Sequence, residues 1–128
     1  MTSYDANGER DDSDYQPGPL EVKGVEADGD LFRYAREEDV FVVHLNRELT
    51  DWELLELELT PRHLTYVADG STLKFAVEIR PGTADQLAPH IKQDVQMLYH
   101  GGQRRHGEAV GYRDIARGLA QRVTNEIT

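Results

Sequence analysis

The chain has 128 residues, 38% of them hydrophobic, with 24 acidic against 14 basic side chains and a formal net charge of −10. That length fits one domain, and the apolar share, with eleven glycines besides, suffices for a core, so disorder of the whole chain is excluded. Cysteine is absent, which removes disulfides, thiol nucleophiles and cysteine metal sites. No apolar run reaches the roughly 18 residues of a membrane span, and no basic segment leads into an apolar one as in a secretory signal, so a soluble, cytoplasmic domain with no membrane contact is expected.

The charge is uneven. Residues 1–60 hold 17 acids and 5 bases, whereas residues 61–128 hold 7 acids and 9 bases. The first part repels a nucleic-acid backbone, and only the second can offer phosphate a surface. Eleven of the bases are Arg and only Lys23, Lys74 and Lys92 are Lys. Acid excess with scarce Lys resembles the composition of halophile proteins, although GC-rich coding yields the same Arg bias. Acidic patches therefore read first as solvent adaptation.

Residues 1–18 lack aliphatic periodicity and carry Asp5, Glu9, Asp11, Asp12 and Asp14 against Arg10. They read as a disordered acidic tail, with Pro17-Gly18-Pro19 as the boundary of a single domain over 19–128. From residue 20 to 80 the hydrophobic period is two. Leu20 and Val22 alternate with charged residues. Asp28-Gly29 signals a hairpin, and Phe32 and Tyr34 follow it on one face. Residues 40–45 (VFVVHL) are apolar on both faces, which predicts a central strand. Thr50-x-x-Glu53 matches a capping box. The alternation of Leu55, Leu57 and Leu59 with Glu56 and Glu58 nevertheless predicts a strand, leaving one loop or short turn to carry Trp52. A further strand is predicted over 63–68, with Leu64 and Tyr66 inward. Asp69-Gly70 gives a second hairpin, and Leu73, Phe75, Val77 and Ile79 alternate in the cleanest strand of the chain.

Beyond Pro81 the period changes. Thr83-x-x-Gln86 again fits a capping box, and Leu87, Ile91, Val95 and Leu98 form a helical stripe. Pro89 implies a kink or a later helix start. Gly101-Gly102 reads as a stop, residues 100–111 (HGGQRRHGEAVG) as a basic glycine-rich loop, and Ile115, Leu119, Val123 and Ile127 as the stripe of a second helix. The expected fold is therefore α+β: an antiparallel β-meander of five or six strands followed by two C-terminal α-helices packed on one sheet face. Its predicted core holds Val42, Leu57, Tyr66, Phe75, Val77, Ile91, Val95 and Leu119.

Chemistry is sparse. The three serines, Ser3, Ser13 and Ser71, stand outside any G-x-S-x-G turn. The five histidines show no H-E-x-x-H and no ligand spacing on a helix. His100 and His106 flank the predicted loop and read as solvated. His44 reads as a sheet-face or core histidine rather than a titrating group in a pocket. Glu56 and Glu58 read as a solvated strand face. No metal, cofactor or catalytic residue is predicted, and an enzyme ranks last. Two roles remain. The first is a non-enzymatic interaction or adaptor domain that self-associates, as a dimer or with another protein, because the second helix carries an aliphatic stripe and open sheets need edge protection. The second is binding of nucleic acid or a phosphate ligand by Arg104, Arg105 and His106 in the loop, extended by Arg113 and Arg117 one turn apart. Tyr66, Tyr99 and Tyr112 would supply base stacking.

Overall fold

The computed structural model describes residues 3–4, 10–11 and 14–128. Within the predicted tail, β1 (Ser3–Tyr4) pairs antiparallel with β2 (Arg10–Asp11); residues 1–2, 5–9 and 12–13 lie outside the described residues. Further along, Tyr15 is anchored: its hydroxyl lies 2.6 Å from Thr50 Oγ1.

The main sheet is antiparallel and has four strands: β3 (Val22–Ala27), β4 (Glu38–Leu45), β5 (Val67–Asp69) and β6 (Thr72–Glu78), in the spatial order β3-β4-β6-β5. It is α+β as expected, but it has fewer strands than predicted and is not a simple meander. β6 returns between β4 and β5, so those two run parallel with one strand between them. The apolar run 40–45 does occupy a central position, hydrogen-bonded on both sides. Asp69 and Thr72 pair across the predicted turn, where Gly70 takes φ +59°.

Three predicted strands are absent or shortened. Phe32 and Tyr34 lie on α1 (Leu31–Ala35), because Asp30 Oδ1 accepts from Arg33 N at 2.8 Å and caps a helical turn. The Leu55–Leu57–Leu59 alternation belongs instead to α2 (Asp51–Leu59), where the capping box prevails: Thr50 Oγ1 accepts from Glu53 N, and Glu53 Oε1 accepts from Thr50 N. The residues that α2 buries are Glu53 and Glu56, one turn apart, so its inward face is charged and its leucines do not follow a helical stripe. Of the strand predicted over 63–68 only β5 forms. Tyr66 is buried there, but its hydroxyl turns to Asp94 rather than serving a ladder.

The largest departure is at the C-terminus. Instead of two helices there is one, α3 (Thr83–Ile127), 45 residues long, or about 65 Å. Thr83 starts it, with Gly82 at φ +82° as N-cap and the Thr83 hydroxyl bonded to Arg80 rather than to its own helix. Pro89 lies inside it. Gly101 and Gly102 do not stop it because they serve packing. A Cβ on Gly102 would stand 2.7 Å from Glu53 Cγ, and one on Gly101 would overlap the Glu56 side chain. The lack of side chains lets α3 lie directly on α2. Residues 100–111 are consequently helix, not loop.

The core joins Val43, Leu45, Leu73 and Phe75 of the sheet to Ile91, Val95 and Leu98 of α3, closed by Leu20, Leu49 and Tyr66. Leu57 and Val77 pack half-buried against it, and Val42 is buried too. Leu119, predicted in the core, is 48% exposed, because α3 has run past the sheet by that point.

Candidate functional site

Three constellations stand out. The first is the distal part of α3. No residue after Gly102 is buried, yet Tyr112 (73% exposed), Ile115 (62%), Leu119, Val123 (54%) and Ile127 (78%) keep an apolar face. Ile127 is 36 residues beyond the buried Ile91, ten full turns of an α-helix. The side that seats α3 on the sheet therefore continues past the domain with no sheet beneath it.

The second constellation lies where α2 meets α3. Glu56 is 2% exposed. It accepts from Arg62 Nη2 (2.6 Å), Arg105 Nε (2.5 Å) and Arg104 Nη2 (3.3 Å), while Arg105 Nη2 also donates to Thr60 Oγ1 at 2.8 Å. Burial pushes the Glu56 carboxyl up, but the hydrogen bonds and charges of Arg105 and Arg62 outweigh it, and the group sits below its usual 4.5. One turn earlier, Arg47 holds buried Glu53 in a fork at 2.7 and 2.9 Å. Hydrogen bonding to Glu53 raises the Arg47 guanidinium further, against its own burial. The two arginines read as loop cations thus pair with a buried acid that sequence reasoning placed on a solvated strand.

The other predicted binding residues are spread out. The His106 ring packs against Tyr15 (4.8 Å between centroids) and Trp52 (5.3 Å), in an aromatic knot that ties the N-terminal segment to both helices. Burial is the chief reason that the Tyr15 hydroxyl is raised. Arg113 is half-buried with Nε 3.5 Å from Asp114, and Arg117 is exposed on the distal rod. The structure therefore brings Arg104 and Arg105 together and separates them from Arg113 and Arg117. Among the stacking candidates, Tyr66 is committed to the core, edge-on to Phe75. Tyr99 packs half-buried against that core, and only Tyr112 is open.

The third constellation is Asp94, fully buried on α3. Its carboxylate accepts from His63 Nδ1 (2.7 Å) and from the Tyr66 hydroxyl (2.7 Å). A carboxylate only accepts here, so His63 carries its proton on Nδ1. The His63 ring stacks on His90 at 4.3 Å and 7°. Imidazole lone pairs lie in the ring plane, so near-parallel rings do not converge on one ion. Among the described residues no group of three or more His, Asp or Glu is placed to hold a metal. His44 lies on the outer sheet face, donating to Glu26 at 2.8 Å. No helix among the described residues is long and apolar enough to cross a membrane.

Comparison with protein-family models, curated proteins and solved structures finds no match for this chain. The first surface is legible in the sequence as the stripe Ile115, Leu119, Val123 and Ile127; that it continues the face of Ile91 needed the helix to run through Gly101-Gly102. The second needed the recognition that α2 is a helix.

Proposed function

We propose that this chain is a non-enzymatic interaction module that self-associates, the distal rod of α3 pairing with the same segment of a second copy. The supporting observation is the uncovered stripe Tyr112–Ile115–Leu119–Val123–Ile127, continuous in phase with the face that α3 already buries. A monomer leaves that surface wet, whereas burial of one such side chain is worth about 1.5–3 kcal/mol.

Charge favours a second copy in antiparallel orientation. Residues 104–128 hold five Arg against three acids, while residues 1–103 hold 21 acids against 9 bases. The rod is thus a long surface that two acidic chains can bring together without opposing their main charge. Antiparallel pairing about Leu119 keeps the two bodies roughly 50 Å apart, several times the ~10 Å screening length at 0.1 M salt. Parallel pairing sets them side by side. The stripe spacings of three, four, four and four average above both the 3.5 of a left-handed coiled coil and the 3.6 of a straight helix, so the contact is a short crossing rather than a left-handed supercoil.

Because the chain has no cysteine, single introduced thiols report the arrangement directly. Sedimentation at rising concentration should show a monomer–dimer equilibrium that Leu119→Glu abolishes. Oxidation should cross-link Leu119→Cys but neither Tyr112→Cys nor Ile127→Cys. A strict monomer at all concentrations and salt levels would overturn the proposal. Cross-linking of all three would overturn the orientation.

A further inference from the structure

The cluster around Glu56 holds more positive charge than its own acids balance. Arg62, Arg104 and Arg105 share Glu56, and among the described residues the one other carboxylate paired with them is Glu108, exposed and 3.8 Å from Arg104 Nε. This surplus occurs in a chain of net charge −10. The Arg62 side chain is 2% exposed. Its Nη2 is bonded to Glu56, but its Nε and Nη1 meet no acceptor among the described residues. A buried guanidinium with unmet donors is costly, and a nearby anion offsets that cost.

Glu56, Arg62 and Arg104 of this cluster also line a cleft of about 600 Å³, within the size range of small-molecule sites. On the α3 side Gln93, Gln96, His100 and Arg104 follow at spacings of three, four and four, so they share one helix face. Thr60 and Arg62 close the cleft from the end of α2. Every one of these six side chains can donate a hydrogen bond. Arg104 is the most exposed of the three arginines, at 59%, and meets Glu56 only at 3.3 Å. It can turn to a ligand while Arg105 keeps Glu56 paired.

We propose that this cleft binds a small phosphate-bearing molecule, its phosphate gripped by Arg104 and His100 above the buried Arg62–Glu56 pair. A phosphate carries close to two negative charges at neutral pH and presents several acceptor oxygens, which suits a charge surplus shared by planar guanidinium forks. A nucleic-acid backbone does not suit it, because the cleft is a single recess in an acidic body rather than a basic track. The site lies on the body side of the rod, and the proposal does not rest on self-association.

Calorimetric titration of the full chain with inorganic phosphate, at ionic strength held constant with sodium chloride, tests this. Saturable binding is expected. Arg104→Gln should weaken it roughly ten-fold or more, as loss of a charge-assisted hydrogen bond does, while Arg117→Gln on the distal rod should leave it unchanged. Both positions are exposed, so both variants should fold, and a matched unfolding curve checks this. A parallel titration with glycerol 3-phosphate separates the two sources: tighter binding than orthophosphate assigns the site to a phosphate monoester, equal or weaker binding to free phosphate. The proposal is overturned if phosphate gives no saturable signal, or if Arg104→Gln binds it as tightly as the parent chain.

Discussion

Replacing Gly102 by Ala should destabilise the protein, although the same exchange is favourable in most helices. Removing a glycine from a helix interior gains about 0.5–1 kcal/mol. At Gly102 the new methyl group would meet Glu53 Cγ at 2.7 Å and the Glu53 backbone N and Cα at 3.2 and 3.3 Å. The Glu53 side chain cannot swing away, because it is fully buried and held by Arg47 and by the backbone N–H of Thr50. Either α2 and α3 separate or the Arg47–Glu53 fork breaks. Overpacking of this kind costs about 1–3 kcal/mol, and a lost charge-assisted bond adds about 1.5–3 kcal/mol. A net loss of about 1.5–5.5 kcal/mol is expected after the propensity gain. Gly111 and Gly118 lie in the same helix with open space where a Cβ would stand, so alanine there should stabilise by about 0.5–1 kcal/mol. Urea unfolding of the three variants at one protein concentration reads the difference in sign. If Gly102→Ala raises the midpoint as Gly111→Ala does, the close α2–α3 approach described here is wrong.

Phe75→Ala, at a site 3% exposed and packed on Phe41 and Tyr66, should cost about 3–5 kcal/mol; a small midpoint shift in urea would contradict its burial. Glu56→Gln should cost about 3–5 kcal/mol at neutral pH, since it strips the partner from buried Arg62. Its carboxyl is depressed below 4.5 in the folded state, so the stability it lends is present above that pH and lost as pH falls through the folded value. The gap between parent and variant should therefore narrow in acid, and a constant gap from pH 7 to pH 3 would refute the charge assignment. Tyr66 behaves oppositely. Burial and its bond to the Asp94 carboxylate raise its hydroxyl well above 10, so the stability it contributes is full below pH 10 and declines above it. Unfolding midpoints from pH 8 to 11 should fall more steeply for the parent chain than for Tyr66→Phe; parallel slopes would count against the Asp94 contact.

What the sequence discloses is whatever a local signal announces. The unbroken apolar run 40–45, the Asp69-Gly70 turn, the alternation at 73–77 and the helical stripe from Leu87 to Leu98 are such signals, and all are found. Helix α2 breaks the rule because its buried face is Glu53 and Glu56, whose cost is offset by arginines 6 to 49 positions away. Nothing local announces such partners, so the leucine alternation outweighs a correct capping box. Gly101-Gly102 misleads for a related reason. A glycine that ends a helix and a glycine that admits another helix look alike until the second helix is known. With the helix wrongly ended, Arg104 and Arg105 read as loop residues facing water, and the site at Glu56 cannot be assembled.

The anchorage of α3 has a mechanical corollary. Twenty-five residues separate Gly102 from Ile127, a lever about 38 Å long whose fulcrum is the glycine seat on α2. Each degree of tilt at that seat sweeps the tip by about 0.7 Å. The seat adjoins the guanidinium cluster, so a shift of a few tenths of an ångström around Glu56 would reach the far end magnified several-fold.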